Sequence, residues 1–238
     1  MTETLELPYK LRISARARRV QIRVRPYVGL EVVVPKRFPR GQIGRILQQH
    51  QAWITAQLDR HAASFEPTPL PDQLSLALTD ECFDIEFDYG GKPAITRSEQ
   101  CLRVTLPEPQ SDTRQATGLL RGWIRRRAHE VLCPRLSELA QAFGMDYRKC
   151  SIRTQKSRWG SCSSNGTISL NDQLLFMPAD TVDYLLTHEL CHTRHMNHSA
   201  AFWRLVQTHA PDFRQHESVL DRGRAKVPEW FLRDLYAS

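Results

Sequence analysis

Residues 188–192 read His-Glu-Leu-Cys-His, and another histidine follows at position 198. On a helix with about 3.6 residues per turn, His188 and His192 lie one turn apart and project from the same side. Both imidazoles can therefore reach one cation at about 2.0–2.1 Å. Glu189 lies about 100° around the helix from His188, where its carboxylate can hold a water molecule on that cation. The spacing predicts a metal site with His188, His192 and His198 as ligands and Glu189 as the catalytic residue.

The third ligand must come from outside the helix. His198 lies six residues beyond His192, too far to remain on the same helical face. The chain must turn back in this interval, and Met196–Asn197 is a suitable bend. Glu217 is an alternative third ligand and His195 a weaker one. Of the three, His198 is favoured.

The segment that carries this motif has the periodicity of a helix packed on a core. Val182, Leu185, Leu186 and Leu190 recur at i, i+3, i+4 and i+8. Cys191 lies toward the same side, so we interpret it as a small apolar core residue rather than a ligand. The motif histidines are therefore expected largely on the opposite side.

A hairpin is predicted just before this helix. The run Lys156–Ser163 is followed by Asn165-Gly166 and then by the strand-like segment Ile168–Asn171. Asn-Gly between two such runs favours a type I′ turn, which needs positive φ at both central residues. The hairpin could present an edge strand to an extended peptide, or it could be an ordinary part of the core.

Several of these motifs together resemble the YgjP-like metallopeptidase family, which is grouped with the SprT and WLM zinc peptidases. They are R-W-G-S-C, the Asn-Gly hairpin, I-S-L-N, H-E-L-C-H and R-H-M-N-H-S-x-x-F-W. The amino-terminal Tyr9–Arg12, the Arg-rich strand pair that ends in Val32–Pro35, and the helix with Trp53-Ile54 are also similar. The resemblance is weakest between about residues 64 and 114. It implies a zincin-like catalytic domain, one zinc ion on His188, His192 and His198, and Glu189 as the catalytic acid/base.

Composition narrows the class of protein. No apolar run approaches the ~20 residues that span a bilayer, and no charged-then-apolar leader opens the sequence, so we expect no membrane association. The six cysteines are scattered, without Cys-x-x-Cys pairs. We therefore predict reduced thiols and a cytoplasmic protein.

The net charge of +7 is unevenly distributed. Residues 1–60 carry 12 Lys and Arg against 4 acids, residues 61–112 carry 3 against 10, and residues 113–238 carry 18 against 12. Arg19, Arg23 and Arg25 alternate with apolar residues along one predicted strand, so they could contact phosphates or form a solvated sheet face. A basic surface favours nucleic acid as a partner, although it is also a common route to solubility.

The chain is predicted to have an α+β fold with two domains. A β-rich accessory region with one long helix occupies residues 1–110, and a zincin-like metallopeptidase domain with a β-hairpin occupies residues 111–238. Strands are predicted at 5–13, 18–25, 30–34, 74–78, 82–88, 93–97 and 101–106. Helices are predicted at 40–62, 113–143, 199–208 and 212–222, with a proline-rich linker at 66–71. Pro134 should kink or restart the long helix, and Gly144 should end it.

The predicted activity is hydrolysis of a peptide bond in a peptide or protein, through a zinc-bound water activated by Glu189. Candidates for a second donor to the reacting oxygen are Arg158, Tyr184, Arg194 and His195. Asn171 and Asn197 are candidate orienting residues. Three alternatives stay open: a nucleotide or phosphoester hydrolase, a protease acting on nucleic-acid-bound protein, and a non-enzymatic protein with structural zinc. The oligomeric state is not predicted.

Overall fold

The computed structural model describes residues 8–25, 27–62, 69–109 and 113–237, and its mixture of helices and strands is an α+β fold. The chain divides into two compact units, one formed by residues 1–69 and 232–238 and the other by residues 70–231. The predicted functional boundary after residue 110 stays a prediction. Within the described ranges, every helix is too short or too polar to cross a bilayer.

The first unit contains a three-stranded sheet and two short helices. Its strands are β1 (Tyr9–Ser14), β2 (Gln21–Arg25) and β3 (Gly29–Pro35), in the order β1-β3-β2. β3 pairs parallel with β1 and antiparallel with β2. The helices are α1 (Ile43–Gln49) and α2 (Gln51–Arg60), so the predicted helix over 40–62 is interrupted at His50. Residues 5–7 of the first predicted strand and 66–68 of the predicted linker lie outside the described residues.

The alternating pattern of the second strand has the predicted effect. Ile22 and Val24 pack against a core that includes Val32, because alternate residues of a strand face opposite sides of the sheet. On the other side, Arg25 forms an ion pair with Glu31 at 3.3 Å, and Arg12 does the same from β1 at 3.3 Å. Part of the predicted basic face is therefore neutralised within the sheet.

The second unit contains two sheets and a long helix. The first sheet has β4 (Gln73–Leu76), β5 (Glu81–Tyr89), β6 (Ala94–Ser98) and β7 (Cys101–Leu106), in the order β4-β5-β7-β6. The second has β8 (Lys149–Arg153), β9 (Gly160–Cys162) and β10 (Thr167–Asn171), in the order β8-β10-β9. The helix α3 (Thr113–Phe143) packs against strands of both sheets.

The long helix does not restart at Pro134, because α3 continues through this residue, and the alternative of a kink stays a prediction. Leu132 and Leu136 on either side are fully buried, so packing stabilises the helix where one backbone hydrogen bond is missing. Gly144 ends the helix with φ of +61°, as predicted.

Cys133 of α3 and Cys150 of β8 form a disulfide bond. The prediction of six reduced thiols is therefore wrong for these two residues. Cys82, Cys101, Cys162 and Cys191 are free, and Cys191 is buried in the core as predicted.

The remaining helices surround the motif. They are α4 (Ala179–Cys191), α5 (Ala200–His209), α6 (Phe213–Arg222) and α7 (Glu229–Ala237). α4 contacts α3, α5, α6 and β9, and its residues Val182, Leu186 and Leu190 are fully buried. Residues of α7 up to Phe231 belong to the second unit and those from Leu232 to the first.

Candidate metal centre

Three imidazole rings meet at the carboxyl end of α4. His188 lies in the last turn of the helix, and His192 immediately follows it. The chain then bends at Met196–Asn197, as predicted, and returns His198 to the other two rings. The Nε2 atom of His188 lies 3.2 Å from Nε2 of His192 and 3.2 Å from Nε2 of His198. The potential ligand atoms of these three histidines all lie within 4.8 Å of one another. Among the described residues, they are the set of three or more His, Cys, Asp or Glu side chains that is close enough to share a metal ion.

Two of the rings are oriented by hydrogen bonds from their outer nitrogens. The Nδ1–H of His192 donates to the carbonyl oxygen of His195 at 3.0 Å. The Nδ1 atom of His188 lies 3.4 Å from the hydroxyl of Tyr184. That hydroxyl is also hydrogen-bonded to Glu217, whose carboxylate can only accept, so Tyr184 accepts from His188 and donates to Glu217. Both Nε2 atoms then present lone pairs to the space that the rings share.

Burial disfavours protonation of two of these rings, His188 and His192. Burial, together with the smaller effects of the nearby His192 and His198 rings, lowers the pKa of His188 to about 4. Burial also lowers the pKa of His192, against the opposing effect of its hydrogen bond to His195. Neutral imidazoles repel one another through their facing lone pairs but can donate them to a cation. Nitrogens about 2.0–2.1 Å from a tetrahedral metal lie about 3.4 Å apart, close to the observed spacing. The residues therefore fit a metal ion.

An aromatic residue from the next helix supports all three rings. Phe202 of α5 is fully buried, and its ring centroid lies 5.0 Å from that of His188, 4.4 Å from that of His192 and 4.9 Å from that of His198. Trp203 stacks on the outer side of His198 at 5.6 Å. Ser199 caps α5 by accepting from the Phe202 N–H at 3.4 Å, which fixes the start of the helix beside the histidines.

Glu189 lies between α4 and the edge strand β9. Only 4% of the residue is exposed, and its Oε2 atom is buried without a hydrogen-bond partner. The backbone N–H of Cys162 donates to the carboxylate. Burial raises the pKa of Glu189 to about 8, although the charge of Arg158 and the Cys162 hydrogen bond oppose this effect. A buried carboxyl group with a free oxygen is suited to exchange a proton with a molecule beside it.

Gly160 is a site residue that the sequence reasoning missed. A Cβ atom added to Gly160 would lie 2.6 Å from Oε1 of Glu189, much closer than side chains tolerate. The strand and the catalytic candidate can approach each other because this position has no side chain. A glycine inside a strand often marks such a close approach, so the signal was present in the R-W-G-S-C run.

The hairpin that contains Gly160 is present as predicted, but its turn is of another kind. β9 and β10 pair antiparallel, with Cys162 opposite Ile168. Gly166 has positive φ and Asn165 does not, so the predicted type I′ turn is wrong. The backbone turn spans residues 163–166 and is closed by the Gly166 N–H, which donates to the Ser163 carbonyl oxygen at 2.9 Å. Side-chain bonds hold the loop instead, since Ser163 donates to Asn165 at 2.6 Å.

The side chains of the other predicted site residues do not join the three imidazoles. Glu217 binds Tyr184 and does not join the three imidazoles. Arg194 donates to the carbonyl oxygen of Gly144 at 3.0 Å. His195 contributes its carbonyl oxygen to the site through His192. Asn197 is exposed in the bend that precedes His198.

Asn171 orients the loop that leads into β9. Its side-chain amide donates to the carbonyl oxygens of Gln155 at 3.0 Å and Arg158 at 2.7 Å. Its side-chain oxygen accepts from the N–H of Gln173 at 3.2 Å. Because Asn171 is fully buried, this loop, which carries Arg158 toward Glu189, is attached to the core.

Comparison with known proteins identifies the family of the chain. The family model described as YgjP-like, metallopeptidase domain, matches residues 18–223, most of the chain. The chain belongs to the YgjP-like metallopeptidase family. This family assignment makes it a metal-dependent peptidase. No curated protein matches it significantly. The solved structure of the metallopeptidase zymogen of Pyrococcus abyssi abylysin is similar at 26% identity, with 41% of this chain and 95% of that one covered and a TM-score of 0.36.

Proposed function

We propose that this YgjP-like protein is a zinc-dependent peptidase, with His188, His192 and His198 as the zinc ligands and Glu189 as the general acid/base. The observation that carries the proposal is the convergence of three imidazole nitrogens beside a buried carboxyl group with an unpartnered oxygen. Three imidazoles are a typical catalytic ligand set for zinc and leave one position open. Membership of a metallopeptidase family supports the peptide bond as the target.

The residues divide the chemistry between them. A zinc ion held by the histidines supplies Lewis acidity, and its charge favours the ionised form of Glu189. Glu189 accepts a proton from the attacking water and passes it to the nitrogen of the leaving amine. The Cys162 N–H fixes the carboxylate during both transfers. Arg158 is the best candidate for the second donor, because its charge acts on Glu189 and it is exposed to an incoming substrate.

The edge strand β9 is the proposed support for the peptide. It pairs with β10 on one side, and its other edge carries the Cys162 N–H that binds Glu189. An extended peptide that lies along this edge would therefore pass beside the catalytic carboxylate.

The proposal is tested with purified zinc-loaded protein and casein as an unstructured substrate, with metal content measured by atomic emission. We expect Glu189→Gln to retain one zinc ion and to lose roughly 100- to 10,000-fold in rate, because proton transfer is removed and the ligands are not. His192→Ala should lose both metal and activity. Full zinc occupancy and full rate in His198→Ala would reject the third-ligand assignment.

The same samples separate the alternative chemistries. Hydrolysis of nucleoside triphosphates, with no cleavage of casein or peptides, would replace the peptidase proposal with a phosphoester hydrolase. Binding of DNA through the basic surface stays a prediction, and a steep decrease of affinity with salt would support it. Indistinguishable activity of Glu189→Gln and the parent in every assay would indicate structural zinc.

A further inference from the structure

A pocket of about 780 Å³ lies between α5 and the start of α6, beside the metal centre. We call it the α5–α6 pocket, and the residues that matter here are Trp203, Arg204, Asp212, Phe213, Arg214 and Glu217. Trp203 is shared with the metal centre, because its ring stacks on His198. The pocket therefore begins one side chain away from the proposed third ligand.

The aromatic faces of the pocket are already covered. Trp203 lies between His198, at 5.6 Å, and Phe213, at 5.2 Å, and is nearly parallel to both rings. The guanidinium group of Arg214 lies over the Phe213 ring at 5.8 Å from its centroid. An aromatic ligand would find no free ring face on Trp203, so polar groups are the main contacts that the pocket offers.

Two arginines supply most of these polar contacts. Arg204 and Arg214 are exposed, and within the described part of the chain neither guanidinium lies within 4.0 Å of a carboxylate. Of the two acids in the lining, Glu217 is engaged by the Tyr184 hydroxyl. Asp212 precedes α6, and its side chain makes no capping hydrogen bond. The lining thus holds two arginines and two acids, and neither arginine is paired with an acid among the described residues.

We propose that the α5–α6 pocket is a substrate subsite that binds a carboxylate of the peptide, either an acidic side chain or the terminal carboxylate. Guanidinium groups bind carboxylates through charge-assisted hydrogen bonds, often in pairs, and this geometry distinguishes Glu from its uncharged counterpart Gln. Asp212 and Glu217 both weaken the preference by repulsion. The inference rests on the proposed peptidase function, because it assigns the pocket to the same substrate.

The test uses zinc-loaded Glu189→Gln protein, which should bind peptides without cleaving them. Fluorescein-labelled eight-residue peptides of Gly and Ala carry one central Glu or one central Gln, each with a free or an amidated carboxyl terminus. Fluorescence anisotropy gives the four dissociation constants. We expect at least one carboxylate to tighten binding by roughly fivefold or more over its uncharged counterpart. The Glu–Gln comparison reports a side chain, and the acid–amide comparison reports the terminus.

Variants connect the preference to the pocket. In the Glu189→Gln background, Arg204→Gln combined with Arg214→Gln should reduce the preference to about one, whereas Asp212→Asn should increase it. Arg222→Gln, on α6 but outside the pocket lining, is the matched control and should leave the preference unchanged. Circular dichroism establishes that each variant is folded.

Two outcomes overturn the inference: equal affinity for all four peptides, or a preference that survives loss of both arginines. Failure of the proposed function has a different signature. If zinc-loaded parent protein cleaves no peptide while the arginine-dependent preference persists, the peptidase proposal fails and the carboxylate site stands.

Discussion

Gly160 and Glu189 contact each other where β9 meets α4, and this pair determines where the carboxylate can lie. The close approach exists because Gly160 has no side chain, since an added Cβ would lie 2.6 Å from Oε1 and 2.9 Å from Cγ of Glu189. Glu189 has little freedom to move away, because it is buried and bound by the Cys162 N–H. A change at Gly160 should therefore act on catalysis through Glu189, without touching the histidines.

Gly160→Ala should lower kcat/KM for peptide cleavage by roughly 10- to 100-fold, because a displacement of about 1 Å in a catalytic group has effects of this size. Zinc content should remain at one ion, since the three imidazoles are not contacted. Gly118→Ala is the matched control, because a Cβ at that position in α3 meets nothing within 4 Å. Equal activity of the two variants would show that Glu189 does not need this space.

Tyr184, whose hydroxyl lies 3.4 Å from Nδ1 of His188, also influences the site. Tyr184 accepts a hydrogen bond from His188 and donates one to Glu217, so it orients the ring and increases its basicity. Burial, with the nearby Glu217, raises the pKa of Tyr184, so the hydroxyl keeps its proton.

Tyr184→Phe should weaken zinc binding by about tenfold, the lower end of what outer partners of metal ligands contribute. Activity at saturating zinc should be close to that of the parent, because the hydroxyl is engaged away from the substrate. Competition with a fluorescent zinc chelator measures the affinity, and Tyr147→Phe is the control. Loss of activity at saturating zinc would instead assign Tyr184 as the donor to the reacting oxygen.

At the scale of the elements, a buried acid lies where β10 passes into the turn before α4. Asp172 is fully buried, accepts a hydrogen bond from the Thr154 hydroxyl, and has an Oδ1 atom without a partner. Burial raises its pKa from 3.8 to about 6, although the Thr154 hydrogen bond and the charges of Arg121 and Arg125 oppose the shift. The fold therefore favours the protonated form of this acid.

This shift predicts a pH dependence of stability. The favourable contribution of protonated Asp172 is fully present below pH 3.8, the ordinary pKa of the unfolded chain, and is lost as the pH rises through about 6. The parent should thus lose about 2 kcal/mol of unfolding free energy relative to Asp172→Asn between pH 4 and pH 7. Urea unfolding of both proteins across this range, in the presence of chelator, measures the difference. A difference that does not change with pH would contradict the prediction.

The strands and helices were largely predictable, because their hydrophobic periods are local properties of the sequence. The wrong predictions concern features that depend on tertiary contacts. Burial on both sides of Pro134 keeps α3 continuous, and the Cys133–Cys150 disulfide joins residues whose pairing no local spacing reveals. The turn at Asn165-Gly166 depends on the Ser163 hydroxyl, which donates to the Asn165 side-chain oxygen and accepts from the Thr167 N–H, and a dipeptide rule does not include these bonds.

The candidate site likewise has features that the local sequence predicted and features that require the folded chain. The gathering of three imidazoles followed from helical spacing and one bend, although their role as ligands stays a proposal. Gly160 lies 29 residues before Glu189 in the sequence, and Phe202 lies ten residues after His192. Their contacts with Glu189 and the rings require the folded chain, so a glycine in a predicted strand could suggest a close approach at Gly160 but could not identify its partner.

At the scale of the whole molecule, binding of a metal ion is coupled to the stability of the fold. The three histidines approach one another only when α4 and the bend before α5 have formed, so an ion that binds them stabilises the folded state over the unfolded state. The family match spans residues 18–223 and thus includes parts of both compact units.

Zinc at about 1,000 times its dissociation constant should raise the free energy of unfolding by about 4 kcal/mol, and chelation should remove this increment. Urea unfolding with zinc or with chelator measures it. Glu189→Gln should keep the increment, whereas His198→Ala should lose most of it. An increment that is unchanged in His198→Ala would place the ion elsewhere.

His198 has a further consequence, because it belongs to a different segment from the other two histidines. An ion bound by all three rings would connect the loop before α5 to the end of α4. The same loop leads directly into Phe202 and Trp203, which back the rings and form the shared wall of the neighbouring pocket. Removal of the metal should therefore lower the affinity of the α5–α6 pocket for a peptide carboxylate, although that carboxylate does not contact the ion. Peptide binding and peptide cleavage should then decrease together.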